Sequence, residues 1–204
     1  MGSSEEQWIS AAAEGDKEAF AQLVELYQKR VFSVCYRMLG TSTAAEDAAQ
    51  ESFIRAFQAM AKYDPKRSFA TWLLSITSHY CIDQIRKRKM QFFSLDDEKY
   101  AWLAPPAKGP NPEKCTLQNE KLDQVQKMLA ELNEVDRAAV ILQYWHDYSY
   151  QEIAEALGLS LSAVKSRLYR ARLELAEHWQ KLQEQPPSNP NRNQERIAHG
   201  SPTI

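Results

Sequence analysis

Apolar residues recur at intervals of three and four along most of this chain, the repeat of an amphipathic helix rather than of a strand. Phe20, Leu23, Val24, Tyr27, Val31, Val34, Cys35 and Met38 form one stripe, predicting a helix over 17–39 that Asp16 caps and Gly40 ends. Residues 5–14 read as a short preceding helix stopped by Gly15. Thr43 and Glu46 have capping-box spacing and open a helix to about Lys62, with Ala48, Phe53, Ala56, Phe57 and Met60 suited to burial. Asp64-Pro65 breaks the chain, and Ser68 can cap a further helix from Phe69 to about Lys89. Together these helices predict one domain, 5–92.

Periodicity then lapses. Residues 92–118, FFSLDDEKYAWLAPPAKGPNPEKCTLQ, hold four prolines, so 93–117 reads as a flexible linker. Phe92, Phe93, Tyr100, Trp102 and Leu103 make it too apolar for a pure spacer and point to docking on a domain or partner. Helices over 118–131 and 134–146 resume the pattern, and a helix pair completes a second domain, 118–183. Residues 184–204 are polar and rich in Pro and Asn, the composition of a disordered tail. The fold class is therefore all-α, two small helical domains joined by a linker.

The helix pair lies in SYQEIAEALGLSLSAVKSRLYRARLEL, residues 149–175. Ser149 and Glu152 form a capping box, Gly158 supplies a tight turn, and Ser160 is placed to cap the second helix. Ala154 allows close approach and Val164 fills the space between the two. At about 100° per residue Val164, Leu168, Ala171 and Leu175 share one stripe that must face the first helix. The opposite face presents Ser162, Ser166, Tyr169 and Arg170, with Lys165 on its flank. A tight helix pair with a basic second member reads as a helix-turn-helix whose second helix enters a DNA major groove. Arg167 and Arg172 project nearer the stripe, where they reach phosphates or pair with an acid from another helix.

Composition is ordinary for a soluble protein, 44% apolar and 25% charged, and the net charge of −2 is unusual for a DNA binder. Its distribution removes the difficulty: 61–90 carry a net +5 and 161–185 a net +2, inside otherwise acidic sequence. No apolar run is long enough to span a bilayer and the N-terminus lacks a secretory pattern, which places the chain in the cytoplasm with no membrane insertion. Cys35, Cys81 and Cys115 fit no zinc or disulfide spacing. No metal-ligand cluster and no phosphate-binding glycine loop is present, so neither a cofactor nor an enzyme is expected. Asp47 and Glu51 are a carboxylate pair without a histidine beside them.

The larger basic island couples cations to aromatics. Lys66-Arg67-Ser68 forms a basic turn, Phe69, Trp72 and Tyr80 follow, and Arg86-Lys87-Arg88-Lys89 closes the helix. Such a surface can stack unpaired bases and hold their backbone, although an amphipathic helix with Phe69, Trp72, Leu73 and Ile76 in its core is the simpler account of those side chains. Four consecutive cations wrap the whole helix and favour a polyanion.

Separate segments agree on one family. AEDAAQESFIRAF (45–57), KYDPKRSFATWLLSITSHYCIDQIRKRK (62–89) and the helix-turn-helix, in this order, resemble bacterial sigma factors of the sigma-70 family, in the compact extracytoplasmic-function (ECF) group. The resemblance implies that 5–92 is sigma region 2 and 118–183 sigma region 4. It implies that Asp47, Gln50, Glu51 and Phe53 face the beta-prime clamp helices of core RNA polymerase. The loop Tyr63–Ser68 with Phe69, Trp72, Tyr80, Arg86 and Arg88 would read and melt the −10 element. Ser162, Lys165, Ser166, Arg167, Tyr169, Arg170 and Arg172 would engage the −35 element. Core polymerase (beta-prime clamp helices and beta flap), promoter DNA and an anti-sigma factor are the partners it brings. Leu132-Asn133 departs from the family's usual Leu-Pro, and the tail after 183 is extra. The alternative is a free-standing helix-turn-helix regulator whose N-terminal half senses a signal or dimerises.

Overall fold

The computed structural model describes residues 4–95 and 117–184, and every regular element within them is helical. In chain order these are α1 (Ser4–Ala13), α2 (Lys17–Leu39), α3 (Ser42–Ala59), α4 (Phe69–Leu95), α5 (Leu117–Glu131), α6 (Glu134–Trp145), α7 (Tyr150–Leu157) and α8 (Leu161–Glu184). Most of the expected linker and nearly all of the expected tail lie outside the described residues.

The caps explain these bounds. Asp16 accepts from the Ala19 N–H at 3.0 Å, and Gly40 closes α2 at φ 82°. The cap of α3 differs from the expected Thr43–Glu46 box. Thr41 takes the N-cap by accepting from the Ala44 N–H, and Glu46 instead accepts from Ser42 Oγ at 3.0 Å. A 3-10 turn, Met60–Lys62, finishes that helix. α4 runs six residues past Lys89 because nothing in Met90–Leu95 breaks a helix. Asn133 caps α6 by accepting from the Val135 N–H at 3.1 Å.

α1 to α4 close around Leu23, Val31, Val34, Met38, Leu73 and Leu74, all at most 1% exposed. Ser52 and Thr77 enter this core because each hydroxyl donates to its own helix, to Ala48 O and Leu73 O. Cys35 and Cys81 meet there with sulfurs 3.8 Å apart as free thiols. Contact with Cys35 and burial both raise the Cys81 pKa, so the thiol stays protonated and inert. α5 to α8 close around Leu129, Leu132, Ile141, Ile153 and Leu168. The turn into α7 passes through Asp147 at φ 54°, a left-handed conformation that Asp tolerates better than most side chains.

The two units also pack directly on each other, α4 against α6 and α7, and α2 against α5 and α6. Arg137 of α6 is the centre of this contact. It is 8% exposed, and its guanidinium donates to Met38 O at 2.7 Å, Ala130 O at 2.6 Å and Leu132 O at 3.3 Å. Those carbonyls end α2 and α5, where helical bonding leaves oxygens unpaired and the helix dipole favours a cation. Gln126 Nε2 adds a bond to Tyr36 O, and Ser75 Oγ one to Ala156 O at 2.7 Å.

Arg137→Leu keeps bulk and removes every one of those donors. Each orphaned buried carbonyl costs about 1–3 kcal/mol. Urea unfolding should show a loss of several kcal/mol by that measure, whereas Leu122→Ala, at a position 58% exposed, should leave the midpoint nearly unchanged. Equal midpoints for Arg137→Leu and the parent would show that the carbonyls find other partners.

Candidate nucleic-acid interface

The helix pair α7–α8 follows from its caps. Ser149 and Glu152 form the full capping box, with Ser149 N–H donating to the Glu152 carboxylate at 2.8 Å and Glu152 N–H to Ser149 Oγ at 3.2 Å. Gly158 turns the chain at φ 64°, where a β-carbon would be strained. Ser160 Oγ then accepts from the Ala163 N–H at 3.2 Å and starts α8. Val164, Leu168 and Ala171 are at most 1% exposed, and Leu175 is half-buried, as the stripe required.

That burial turns Ser162, Lys165, Ser166, Tyr169 and Arg170 to solvent. Lys165, Ser166, Tyr169 and Arg170 line one shallow depression, with Tyr169 58% exposed. Arg167 is drawn the other way, its guanidinium 2.7 Å from Asp136 of α6. Arg172 stays exposed while its Nε donates to Leu168 O. Of the two outcomes open for these arginines, pairing with an acid is realised for Arg167.

Lys66, Arg67 and Ser68 stand exposed on the loop before α4, which also walls a cleft of ≈ 500 Å³ shared with α1 through Glu5, Ile9, Tyr63, Pro65 and Phe69. Phe69 does not offer a free ring face. It is 3% exposed and sits among Tyr27, Tyr63 and Trp72 with ring centres 5.4–5.6 Å apart, because its position opening α4 points it into the first unit's core. Trp72 is half-buried in that cluster, and Tyr80 is half-buried beneath the Arg55 guanidinium at 4.6 Å. The α1 wall is fixed by Tyr27, whose hydroxyl donates to Glu5 at 2.6 Å. Burial and that carboxylate raise the tyrosine pKa.

On the face made by α2 and α3, Asp47 and Gln50 are exposed. Glu51 pairs with Arg55 at 2.7 Å, one helical turn away. Phe53 is half-buried in a mainly apolar groove of ≈ 370 Å³ with Val24, Phe32, Ala49 and Gln50.

Sequence reasoning missed the acids that meet the basic island. Glu134 of α6 takes Arg86 at 2.9 Å and Lys89 at 3.1 Å, and Glu155 of α7 takes Arg67. Glu134 sits in the first turn of α6, where an acid is expected for the helix dipole alone, so its type carried no sign of partners almost fifty residues away. Burial would raise the Glu134 pKa, but hydrogen bonds from Arg86, its own backbone and Lys89 hold it down at about 2. Arg88 and Lys87 remain exposed and make no ion pair among the described residues. Among those residues there is also no His, Cys, Asp and Glu group that could hold a metal, and no helix long and apolar enough to cross a membrane.

His146 ends α6 with its Nε2 buried and unpartnered. Burial, with Arg37 and Arg30 nearby, lowers its pKa to about 4 from an ordinary 6.5. The folded chain thus holds it neutral while the unfolded chain protonates it. Stability is full above about pH 6.5 and falls as pH drops from there toward 4, by at most one proton's worth of slope. Glu134 adds a loss only below its ordinary 4.5. Urea midpoints measured from pH 7 to 4 should fall for the parent chain and less steeply for His146→Gln. Parallel curves would remove His146 from this dependence.

Family models match this chain in two places, "Sigma-70 region 2" over residues 23–90 and "Sigma-70, region 4" over 122–175. The ECF RNA polymerase sigma factor SigW of Bacillus subtilis (strain 168) is 36% identical over 172 residues, covering 80% of this chain and 90% of SigW. A solved structure of CnrH in complex with the cytosolic domain of CnrY matches with a TM-score of 0.64 at 25% identity, over 88% of this chain and 99% of CnrH. A sigma factor RpoE bound to the anti-sigma factor NepR from Bartonella quintana shares the fold, with a TM-score of 0.61 over 79% of this chain and 96% of that one, at 24% identity.

Proposed function

The chain belongs to the ECF group of the sigma-70 family, and from that premise we propose that it binds core RNA polymerase and directs it to a restricted set of promoters by engaging their −10 and −35 elements. The observation that carries this reading is the order of the matched regions along one chain, with an exposed basic face on the second. Its role is recognition in the cytoplasm, with no covalent chemistry of its own. The unit 5–92 serves the clamp and the −10 element, and 118–183 the −35 element. A free-standing regulator would use its N-terminal half as a sensor, whereas that half is sigma region 2. An anti-sigma factor is the natural third partner, since CnrH and RpoE were each solved bound to another protein.

Roles divide by chemistry. Lys165, Ser166, Tyr169 and Arg170 meet base edges in the −35 major groove, with Ser162 at the helix start and Arg172 reaching phosphate. Arg167, held by Asp136, orients α8 more than it reads. Lys66, Arg67, Ser68 and Trp72 border the place where an unstacked −10 base would sit, and Arg86 and Arg88 hold backbone. Asp47, Gln50 and Glu51 supply acceptors toward cations of the clamp, with Phe53 in the groove between α2 and α3.

In vitro transcription with core polymerase and genomic promoter fragments should require both the chain and core. Tight sequence-specific duplex binding by the chain, with no transcription when core is added, would favour the free-standing regulator. In the same assay Arg170→Ala should lose about 1–3 kcal/mol and relax preference at one −35 position. Arg88→Ala should weaken −10 engagement across sequences and lower the salt slope by about one. Permanganate reactivity reports opening, and normal opening by Arg88→Ala would remove that residue from the −10 unit's contacts.

Reversing Asp47 and Glu51 to lysine should weaken association with core polymerase while circular dichroism stays that of the parent. Unchanged affinity in a fluorescence titration would leave both as solvated surface groups, Glu51 serving only Arg55.

A further inference from the structure

The loop between the 3-10 turn and α4 is braced at three points. Asp64-Pro65-Lys66-Arg67 forms a β-turn in which the Arg67 N–H donates to Asp64 O at 3.0 Å, with proline at the second position, where its fixed φ suits the bend. Asp64 Oδ1 also accepts from the Lys66 N–H at 3.0 Å. Those two bonds fix the turn's own shape but not its angle to the helices. The third does: the Tyr63 hydroxyl donates to Arg67 O, so one side chain spans the whole turn and ties its last residue to its stem.

That hydroxyl holds a fixed position because its ring is anchored. The Tyr63 ring centre is 5.1 Å from that of Trp72 and 5.6 Å from that of Phe69, which it meets edge-on, and Phe69 packs in turn on Tyr27. Phe69 and Tyr27 are buried, so the cluster belongs to the core of the first unit. Phe69 thus seats the ring whose hydroxyl holds the loop. Burial, then Asp64, raises the Tyr63 pKa, which keeps the phenol a neutral donor. Tyr27 spends its own hydroxyl on Glu5 of α1, across the cleft. The Arg67 guanidinium lies against Glu155, so backbone and side chain of that residue are engaged separately.

Resting on the sigma-factor reading above, we propose that Tyr63 is a positioning residue for −10 recognition: its hydroxyl, donated to Arg67 O from a ring seated on Phe69 and Trp72, sets the shape in which loop 63–68 receives an unstacked base. Tyr63 acts through the loop and contacts no base itself. A site that tells one base from another needs its groups held to within about 0.5 Å. Loosening the loop costs the matched base more than a mismatched one, because only the matched base uses the held geometry. Phosphate contacts by Lys66 and Arg67 tolerate the same movement, since attraction between charges falls slowly with distance. Tyr63 therefore governs selectivity, and the neighbouring cations govern affinity.

The test uses the full chain assembled with core polymerase. Its probe is a fluorescein-labelled non-template strand from a promoter that this assembly transcribes in vitro, with single-base variants across the −10 element, followed by anisotropy. Tyr63→Phe removes one oxygen and keeps the ring, so its urea midpoint should stay near the parent's. It should bind the native strand about fivefold more weakly, the worth of one neutral hydrogen bond, and the mismatched strands as the parent does. Discrimination at one −10 position then narrows by that factor. The slope of log affinity against log salt should equal the parent's, because no charge is lost. Arg67→Ala should instead weaken binding to every strand and reduce the slope by about 0.7. Tyr27→Phe, which releases Glu5 and not the loop, should discriminate as the parent does. Full discrimination by Tyr63→Phe would overturn the proposal, and so would an equal loss for every strand. The same narrowing in Tyr27→Phe would overturn it too, since the effect would then belong to the aromatic cluster at large. A parent inactive with core would sink the sigma-factor reading and this proposal with it, whereas an active parent beside a fully discriminating Tyr63→Phe variant would sink the proposal alone.

Discussion

A single guanidinium, placed where two helices run out of hydrogen-bond donors, makes one body of this chain. Arg137 donates to the last carbonyls of α2 and α5, and it does so from a third helix. Carbonyls at helix ends otherwise need water or another donor. The contact is therefore mutual: those oxygens are paired because Arg137 reaches them, and Arg137 is tolerated in burial because they are there. The neighbouring ion pairs are set by that register. Glu134 lies one helical turn before Arg137 on α6, so fixing one places the other against α4.

The same arrangement explains how an acidic chain handles DNA. Net charge says little, because the acids are not spread as a uniform repulsive shell. Some meet cations inside the chain, as Asp136 does with Arg167 and Glu134 with Arg86 and Lys89. Others stay exposed on the α2–α3 face, as Asp47 does. Lys165 and Arg170 on α8, like Lys87 and Arg88 on α4, make no ion pair among the described residues.

Local chemistry was legible in the sequence wherever one helix decides its own fate. Asp16 and Gly40 bound α2, the Ser149–Glu152 box and Gly158 bound α7, and Val164, Leu168 and Ala171 turn inward, because caps and stripes depend on residues within a turn or two. The exposed face of α8 followed from that stripe by elimination. The box at Thr43 was misplaced by one turn's choice among adjacent hydroxyls, since Ser42 and Thr41 compete for the same work. What could not be read was pairing between distant segments. Nothing in the residue types of Glu134, Glu155 or Arg137 says which helix they meet, and Phe69 has the same composition signal whether it stacks a base or fills a core.

The ion pairs across the units also limit how far this chain is modular. Its two units each match a family model of their own, as exchangeable parts would, and a chimaera could pair either one with a counterpart from a relative. Yet Arg86 and Lys89 belong to one part and Glu134 to the other, as Arg67 and Glu155 do. A graft that imports a different α6 leaves a basic patch without its internal counter-charge, so the resting affinity for any polyanion changes even when both reading faces are copied intact. An exposed face can be copied residue by residue, but the charge balance between the units is a property of the matched pair.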